Sequence, residues 1–401
     1  MSIRKLDGCA ALFITLVLGG CVGDSGGNNP GSLTVTASEC SSLERGVSFV
    51  AVDSGQSQCY GQGGQPIACP AAGTDDFGQD AQYAGPQPAF ALCGGDTVVV
   101  DENTGLMWQK AHNDRANYAT AWAACDALEL GGYSDWRLPT IKELFSIADF
   151  SGTQDDVGST APSNPYIFDD YFDIAYATDV ELTGTHVVQM MGQTWSATAR
   201  PDRPEMNYFF NFFDGHLKSQ FNTDPAATLF YRCVRGSESG FENSLNNNND
   251  GTVSDAATGL MWQAANGSVG ADYRFTWREA LAYCEGLSLG GHDDWRLPNI
   301  RELQGLVDYT DQDNAIDTSV FTQTIELGTG PFFWSGTNDE ESSQFANYVC
   351  LGHCWNHTLT ADIHGPGAQR SDPKHDNGHL PVSIGDQQDL VQADNYVRCV
   401  R

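Results

Sequence analysis

The densest group of side chains that could carry out chemistry lies between residues 350 and 379. Its first part reads Cys350-Leu351-Gly352-His353-Cys354-Trp355-Asn356-His357, and His364, His375 and His379 follow. Thiolate sulfur and imidazole nitrogen are ligands that bind zinc or copper. The spacing differs from the C-x-x-C-H pattern of c-type haem attachment. A metal site is therefore one interpretation of this region.

A binding loop is the interpretation that we favour. In an exported protein, Cys350 and Cys354 are expected to form a disulfide bond, which removes both thiolates. We then predict no metal ion and no cofactor. Loops carry much of the functional variation of folded domains, so we predict a ligand-binding surface here. Its residues are the aromatic platform Trp355 and, around it, His357, His364, His375 and His379.

Other motifs give no stronger chemistry. The run Asn246-x-Asn248-x-Asp250-Gly251 has the alternating oxygen atoms of a calcium loop, but it lacks the closing bidentate glutamate. A polar linker is the favoured interpretation. The chain has no G-x-S-x-G, no H-E-x-x-H and no glycine-rich phosphate loop. The sequence therefore predicts no catalytic residue, and we expect that the protein is not an enzyme.

The first thirty residues are typical of an export signal. Arg4 and Lys5 precede the apolar run Ala10 to Leu18, which is too short to span a bilayer. The run ends in Leu-Gly-Gly-Cys21, which resembles the lipobox of bacterial lipoproteins. We predict a signal peptide over 1–20, lipidation of Cys21 and a flexible tether over 21–30; a cleaved signal with an incidental cysteine is the alternative.

This export signal predicts a lipid-anchored protein of the bacterial cell envelope. Residue 22 is Val rather than Asp, which by the same resemblance favours the outer membrane. The anchor is then the only contact with a membrane. Export also implies an oxidising compartment, where paired cysteines form disulfide bonds.

The composition limits the possible partners. The chain has 401 residues, with Lys+Arg 20 against Asp+Glu 52 and a net charge of -32. Such a charge opposes nucleic acids, anionic membrane surfaces and sulfated polyanions. A surface glycan or a protein remains a possible ligand.

An internal repeat must position any site. Asp135 to Leu144 reads Asp-Trp-Arg-Leu-Pro-Thr-Ile-Lys-Glu-Leu, and Asp294 to Leu303 repeats it as Asp-Trp-Arg-Leu-Pro-Asn-Ile-Arg-Glu-Leu. Each copy predicts a helix that starts at a Thr or Asn cap with Glu three residues later. A Thr-Gly-Leu-Met-Trp-Gln box precedes each copy, and an Arg-Cys-Val-Arg run closes it. We predict repeats over 94–235 and 250–401, joined by a polar linker over 236–249.

The cysteines predict how the repeats are tied. Apolar residues at helical spacing from Tyr118 to Leu128, and again from Trp277 to Leu287, predict a first helix in each repeat, before the corner. This helix contains one cysteine and the closing strand contains another, so the expected bonds are Cys125–Cys233 and Cys284–Cys399.

Residues 31–93 form a separate segment with Cys40, Cys59, Cys69 and Cys93, which allow three pairings. We favour Cys59–Cys69 with Cys40–Cys93. This segment has few apolar runs, so its two bonds are expected to be its main constraint. The apolar run over 47–52 predicts a strand.

The repeated boxes resemble the C-terminal domain of the Legionella collagen-like adhesin. The resemblance covers residues 94–235 and 250–401 and implies an α+β, C-type-lectin-like fold, with two helices and a mixed, mostly antiparallel sheet in each repeat. The adhesin domain is associated with sulfated polysaccharides, which the charge of this chain disfavours. The Arg-Leu-Pro-Thr-x-x-Glu box is also similar to one in formylglycine-generating enzymes.

These observations lead us to expect a non-catalytic surface protein that binds or adheres, with an unidentified ligand. The alternatives are an oxidase-like enzyme of the formylglycine-generating type and a structural envelope lipoprotein without a dedicated ligand.

Overall fold

A computed structural model describes residues 38–153, 164–174, 192–340, 342–378, 380, 383–384 and 388–401. The chain divides into two compact units, Met1–Thr34 and Val35–Arg401, and every described residue belongs to the second. The predicted signal peptide, Cys21 and the tether lie outside the described residues. In the described part, no helix is long and apolar enough to cross a membrane.

The N-terminal segment contains little regular structure. Its elements are the helix α1 (Ser38–Ser41), the strand pair β1 (Cys59–Tyr60) and β2 (Pro66–Ile67), a 3-10 turn (Asp80–Gln82) and the strand β3 (Phe90–Cys93). Disulfide bonds join Cys40 to Cys93 and Cys59 to Cys69.

The strand predicted over 47–52 is wrong. Its backbone makes single contacts, such as Ser48 N–H to Thr104 O at 2.8 Å, rather than a ladder with a neighbouring strand. Phe49 and Val52 are nevertheless buried, so the run serves as an extended packing segment.

The first repeat contains two sheets and two helices. Its elements are β4 (Val98–Asp101), β5 (Met107–Gln109), β6 (Asn113–Ala116), α2 (Tyr118–Asp126), α3 (Ile141–Ser146), β7 (Gln193–Ala199), β8 (Met206–Asn211), β9 (His216–Phe221), β10 (Leu229–Tyr231) and β11 (Val234–Arg235). One sheet has the order β6-β10-β7-β8-β9 and the other β11-β5-β4-β3. The β10–β7 pair is parallel and the other pairs in these sheets are antiparallel.

The second repeat follows the same plan. A 3-10 turn (Glu238–Phe241) leads into β12 (Leu245–Asn247), β13 (Thr252–Asp255), β14 (Met261–Gln263), α4 (Trp277–Glu285), α5 (Ile300–Gly305), β15 (Phe332–Asn338), β16 (Phe345–Cys350), β17 (Gln369–Pro373), β18 (Ser383–Ile384) and β19 (Asp389–Leu390). Its sheets, β12-β13-β14, β15-β16-β17 and β18-β19, are antiparallel. The α+β class predicted from the sequence is confirmed. The stretch predicted as a linker over 236–249 contains the 3-10 turn and β12, and it includes the buried Phe241.

The repeated Trp-Arg-Leu-Pro corner starts α3 and α5 as the sequence predicted. Thr140 and Glu143 form a reciprocal capping box at α3, and Asn299 and Glu302 form one at α5. The corner arginine adds a two-pronged ion pair: Arg137 lies 2.5 and 2.7 Å from the oxygens of the fully buried Glu143. Caps of this kind contribute about 1 kcal/mol each, so these short helices gain much of their definition from the corner.

The two repeats pack against each other through corresponding elements. Helix α3 contacts α5, and β9 contacts β17. The Lys142 ammonium donates to Gly305 O at the end of α5, at 2.8 Å. In return, the Arg301 guanidinium donates to Ala148 O just beyond the end of α3. Lys142 and Arg301 occupy the same position of the repeated box. The reciprocal contacts therefore give the interface an approximate two-fold relation.

Candidate functional site

A cleft of about 670 Å³ lies between the repeats in the described structure. One side is the start of α3 with Thr198 of β7, and another is the chain just after α5. Residues 238–245, which we call the connection between the repeats, provide the third side. We call this feature the open cleft; its lining residues are Thr140, Ile141, Lys142, Thr198, Glu238, Phe241, Glu242, Asn243, Ser244, Leu245, Leu306, Val307, Asp308, Tyr309, Thr310 and Asp317.

Hydrogen bonds fix the first side of the open cleft. The Thr198 hydroxyl accepts the Ile141 N–H at 2.9 Å, which ties β7 to the first turn of α3. Lys142 lies next to it, and its ammonium donates to Asn243 Oδ1 at 3.1 Å as well as to Gly305 O. The same ammonium lies 5.5 Å from the centre of the Phe49 ring. Lys142 therefore joins both repeats and the connection at one point.

Burial and nearby carboxylates have opposite effects on the charge state of Lys142. Burial lowers the pKa of Lys142 to about 8, and the carboxylates of Glu242, Asp308 and Asp255 act against this shift. Because this pKa lies above 7, the ammonium is mostly charged at neutral pH.

The remaining sides are rich in carboxylates. Glu238, Glu242, Asp308 and Asp317 line the open cleft against the single Lys142. Asp308 Oδ1 accepts the Thr310 N–H at 2.8 Å and its hydroxyl at 2.6 Å, so the backbone after α5 is held in place. With these charges, the cleft suits a neutral or cationic ligand rather than an anion.

Tyr309 also lines the open cleft. The Tyr309 hydroxyl is engaged, because it donates to Gly367 O at 3.0 Å and accepts from Gln304 at 2.7 Å. Its backbone N–H and C=O have no hydrogen-bond partner within the described ranges. Main-chain N–H and C=O groups are strong hydrogen-bonding groups, so these two are available to a ligand.

The residues predicted from the Cys/His region are not all gathered at one surface. Trp355 is half-buried and lies against His353, with ring centroids 4.5 Å apart. The His357 N–H donates to Gln388 O at 2.9 Å, which holds it near β19. His375 follows Lys374, whose ammonium lies 4.4 Å from the Trp277 ring centre, near the start of α4. His379 lies outside the described residues.

His364 is a correction to the predicted surface. Only 2% of it is exposed, and its Nε2 lies 2.9 Å from Asp389 Oδ1. Burial lowers the pKa of His364, and the positive charge of Arg370 adds to this effect. Arg370 binds the other oxygen of Asp389 at 2.6 Å. His364 thus belongs to a buried polar network, which a polar, glycine-containing sequence did not reveal.

Several of the residues over 361–378 pack against the first repeat. The Tyr208 hydroxyl of β8 donates to Pro366 O at 2.5 Å. The Leu217 N–H of β9 donates to the Gln369 side chain at 3.2 Å. Arg200, which is 1% exposed, pairs with Asp202 and reaches Asp362 Oδ1 at 3.5 Å. These contacts make Asp362, Pro366 and Gln369 part of the interface between the two repeats.

Three further disulfide bonds lie within the repeats. They join Cys125 to Cys233, Cys284 to Cys399 and Cys350 to Cys354. The first two connect the first helix of each repeat to its closing residues, at the pairs that the sequence suggested. Among the described residues, no group of three or more His, Cys, Asp or Glu is arranged to hold a metal ion.

Sequence reasoning missed the open cleft. Its residues come from the two repeats and the connection, so they are far apart in the chain. One signal was present: the box carries a basic residue at the same position in both copies, Lys142 and Arg301, in the first turn of a helix. A repeated cation at such a place points to an interface.

The fold defines a disulfide-bonded α+β protein built from two copies of one unit. The Lcl C-terminal domain family matches residues 97–235 and 251–401. The chain belongs to this family and contains two tandem copies of its domain, as the sequence resemblance predicted. Comparison with curated proteins and with solved structures found no match.

Proposed function

We propose that the protein is an adhesin-like protein of the bacterial cell surface that binds its ligand without catalysis, through the open cleft. Membership in the Lcl C-terminal domain family supports the adhesin-like class. The observation that carries the assignment to the cleft is its volume of about 670 Å³ between the two repeats, a size typical of ligand sites. A C-type-lectin-like fold for each repeat belongs to the same proposal.

The state of the cysteines supports a binding role over the oxidase-like alternative. Chemistry of the formylglycine-generating type needs a reactive pair of thiols. In the repeats, Cys125 and Cys284 are each 0% exposed and bonded to a partner in the closing residues. A buried disulfide bond of this kind ties the domain together and leaves no thiolate for copper.

The envelope address is part of the proposal. The Leu-Gly-Gly-Cys21 run supports a lipid anchor, and Val22 after it supports the outer membrane. The anchor is then the one membrane contact, and nucleic acids are not partners. The net charge of -32 and the carboxylates of the open cleft argue together against sulfated polyanions. Heparin should therefore not bind at micromolar concentration in metal-free buffer of about 0.15 M salt.

A substitution that fills the open cleft tests the assignment. Ser244 is exposed and lines the cleft, and Ser244→Trp places a large ring there. Asn246→Trp is the matched control, because Asn246 is exposed on the same hairpin but does not line the cleft. Mature protein and both variants are applied to arrays of neutral glycans and of surface proteins.

We expect Ser244→Trp to lose the array ligands that the parent and Asn246→Trp retain. Equal binding by all three proteins would show that the ligand binds elsewhere. Turnover of a thiol peptide substrate with copper would instead favour the oxidase alternative.

A further inference from the structure

The open cleft has a counterpart on the other side of the interface between the repeats. The start of α5 corresponds to the start of α3, and Thr337 corresponds to Thr198. Each of these threonines accepts the first N–H of its helix at 2.9 Å. The chain after α3, Ala148 to Ser151, corresponds to the chain after α5. We call this second place the filled cleft.

Residues 53–56 of the N-terminal segment occupy the filled cleft. The Phe150 N–H donates to Ser54 O at 2.9 Å. The Gln56 side chain donates to Phe150 O at 3.2 Å and to Asn338 O at 2.7 Å, and it accepts the Asn338 N–H at 2.8 Å. Gln56 is 6% exposed. The backbone of the repeats thus binds the sequence Ser54-Gly55-Gln56 through main-chain and amide hydrogen bonds.

Phe150 corresponds to Tyr309, which lines the open cleft. The Phe150 N–H and C=O are both bonded to residues 53–56, whereas those of Tyr309 have no partner in the described part of the chain. The preceding aspartates agree as well: Asp149 N–H donates to Tyr166 O and Asp308 N–H to Ala315 O. The open cleft therefore offers, at Tyr309, the two backbone groups that Phe150 uses to bind residues 53–56.

The charges of the two clefts also correspond, but one carboxylate comes from a different part of the chain in each cleft. In the filled cleft, Asp53 is one of the carboxylates that act on Arg301. In the open cleft, Glu242 of the connection acts on Lys142 in the same way. The protein itself thus supplies the carboxylate that the bound segment brings on the other side. A ligand for the open cleft needs no negative charge.

A glycine in the ligand is required by the close approach to the aspartate. At Gly55, an added Cβ would lie 2.5 Å from Asp149 Oδ1, and its φ of +91° favours glycine. Asp308 occupies the corresponding position in the open cleft. Asp80, in a second part of the N-terminal segment, packs against Gly336 in the filled cleft. The first repeat has Ala197 at the position of Gly336, and its methyl group would block the same approach in the open cleft. The ligand therefore corresponds to residues 53–56 alone.

We propose that the open cleft binds a short polypeptide segment of a partner protein, with a glycine followed by an amide side chain and no net negative charge. This inference rests on the proposed function and names the class of its ligand. The affinity comes from hydrogen bonds to the peptide main chain at Tyr309, and the specificity from the glycine and the amide.

The probe is an acetylated, amidated synthetic peptide with the sequence of residues 50–57 and the change Asp53→Asn. Titration into the full chain should give saturable binding of one peptide. The Tyr309 amide should become protected from hydrogen exchange, while the Phe150 amide stays protected throughout. The same peptide with Gly55→Val should bind at least about ten-fold more weakly, since its Cβ meets the Asp308 carboxylate.

The variants Ser244→Trp and Asn246→Trp separate the possible outcomes. We expect Ser244→Trp to weaken peptide binding by at least about ten-fold and Asn246→Trp to leave it unchanged. Absence of saturable binding, or equal binding of the Gly55→Val peptide, would overturn the peptide proposal. If Ser244→Trp still lost its array ligands in that case, the binding function of the cleft would stand and only the ligand class would fall. If the peptide did not bind and Ser244→Trp also kept its array ligands, the open cleft would not be a binding site.

Discussion

Replacing Gln56 by Ala should loosen the N-terminal segment from both repeats. The Gln56 side chain makes three hydrogen bonds, two with Asn338 and one with Phe150, in a buried place. Each such bond contributes about 1 kcal/mol, and the groups left without partners add to the loss. We therefore expect Gln56→Ala to lower the free energy of unfolding by about 2–4 kcal/mol.

Urea unfolding with a matched control measures this effect. Gln87→Ala is the control, because Gln87 is exposed and its side chain makes one local bond, to Gly85 O. It should change the free energy of unfolding by less than about 0.5 kcal/mol. Faster hydrogen exchange of the Phe150 amide should accompany the loss in Gln56→Ala. If both variants unfolded at the same urea concentration and the Phe150 amide stayed protected, the docking of residues 53–56 would be refuted.

Three further predictions concern pH, the disulfide bonds and the anchor. Burial raises the pKa of Asp80 to about 7 from 3.8, so the folded state binds more protons than the unfolded state between these values. Stability from this group should fall as pH rises from about 4 to about 7, and Asp80→Asn should remove that slope in pH-dependent urea unfolding. The Cys284–Cys399 bond closes a separation of 115 residues, so its replacement by two serines should lower the free energy of unfolding by about 4–5 kcal/mol in the same assay. Cys21→Ser should release the protein from the membrane fraction, and unchanged partitioning with no lipid by mass spectrometry would contradict the anchor.

The sequence predicts best what is encoded locally. The capping boxes at Thr140 and Asn299 lie within three residues of their partners, so the starts of α3 and α5 could be read from the chain. The buried tryptophans of the repeated corner, Trp136 and Trp295, agree with an apolar core. The α+β class and the two tandem domains follow from such repeated local patterns.

The role of the N-terminal segment could not be predicted in this way. Its polar and glycine-rich sequence was expected to depend on two disulfide bonds. In the structure it also docks through buried polar groups such as Asp53, Ser54 and Gln56. Hydrogen bonds from an amide side chain to distant backbone groups leave no periodic pattern in a sequence.

His364 illustrates the same difficulty for the ligand-binding surface predicted from the sequence. Its neighbours in sequence suggest a solvated loop, while its partners Asp389 and Arg370 are brought to it only by the fold. The open cleft was missed for an equivalent reason, because Lys142 and Tyr309 come from different repeats. Contacts between repeats depend on how the two copies pack, which a repeated sequence alone does not specify.

A crystal structure of the full chain with the peptide of residues 50–57, carrying Asp53→Asn, tests the central claim most directly. We expect the peptide to lie in the open cleft, with a carbonyl oxygen at hydrogen-bond distance from the Tyr309 N–H and its glycine against Asp308. Residues 53–56 of the chain itself should remain in the filled cleft. A peptide bound at another surface, or one that displaces residues 53–56 and leaves the open cleft empty, would contradict the account.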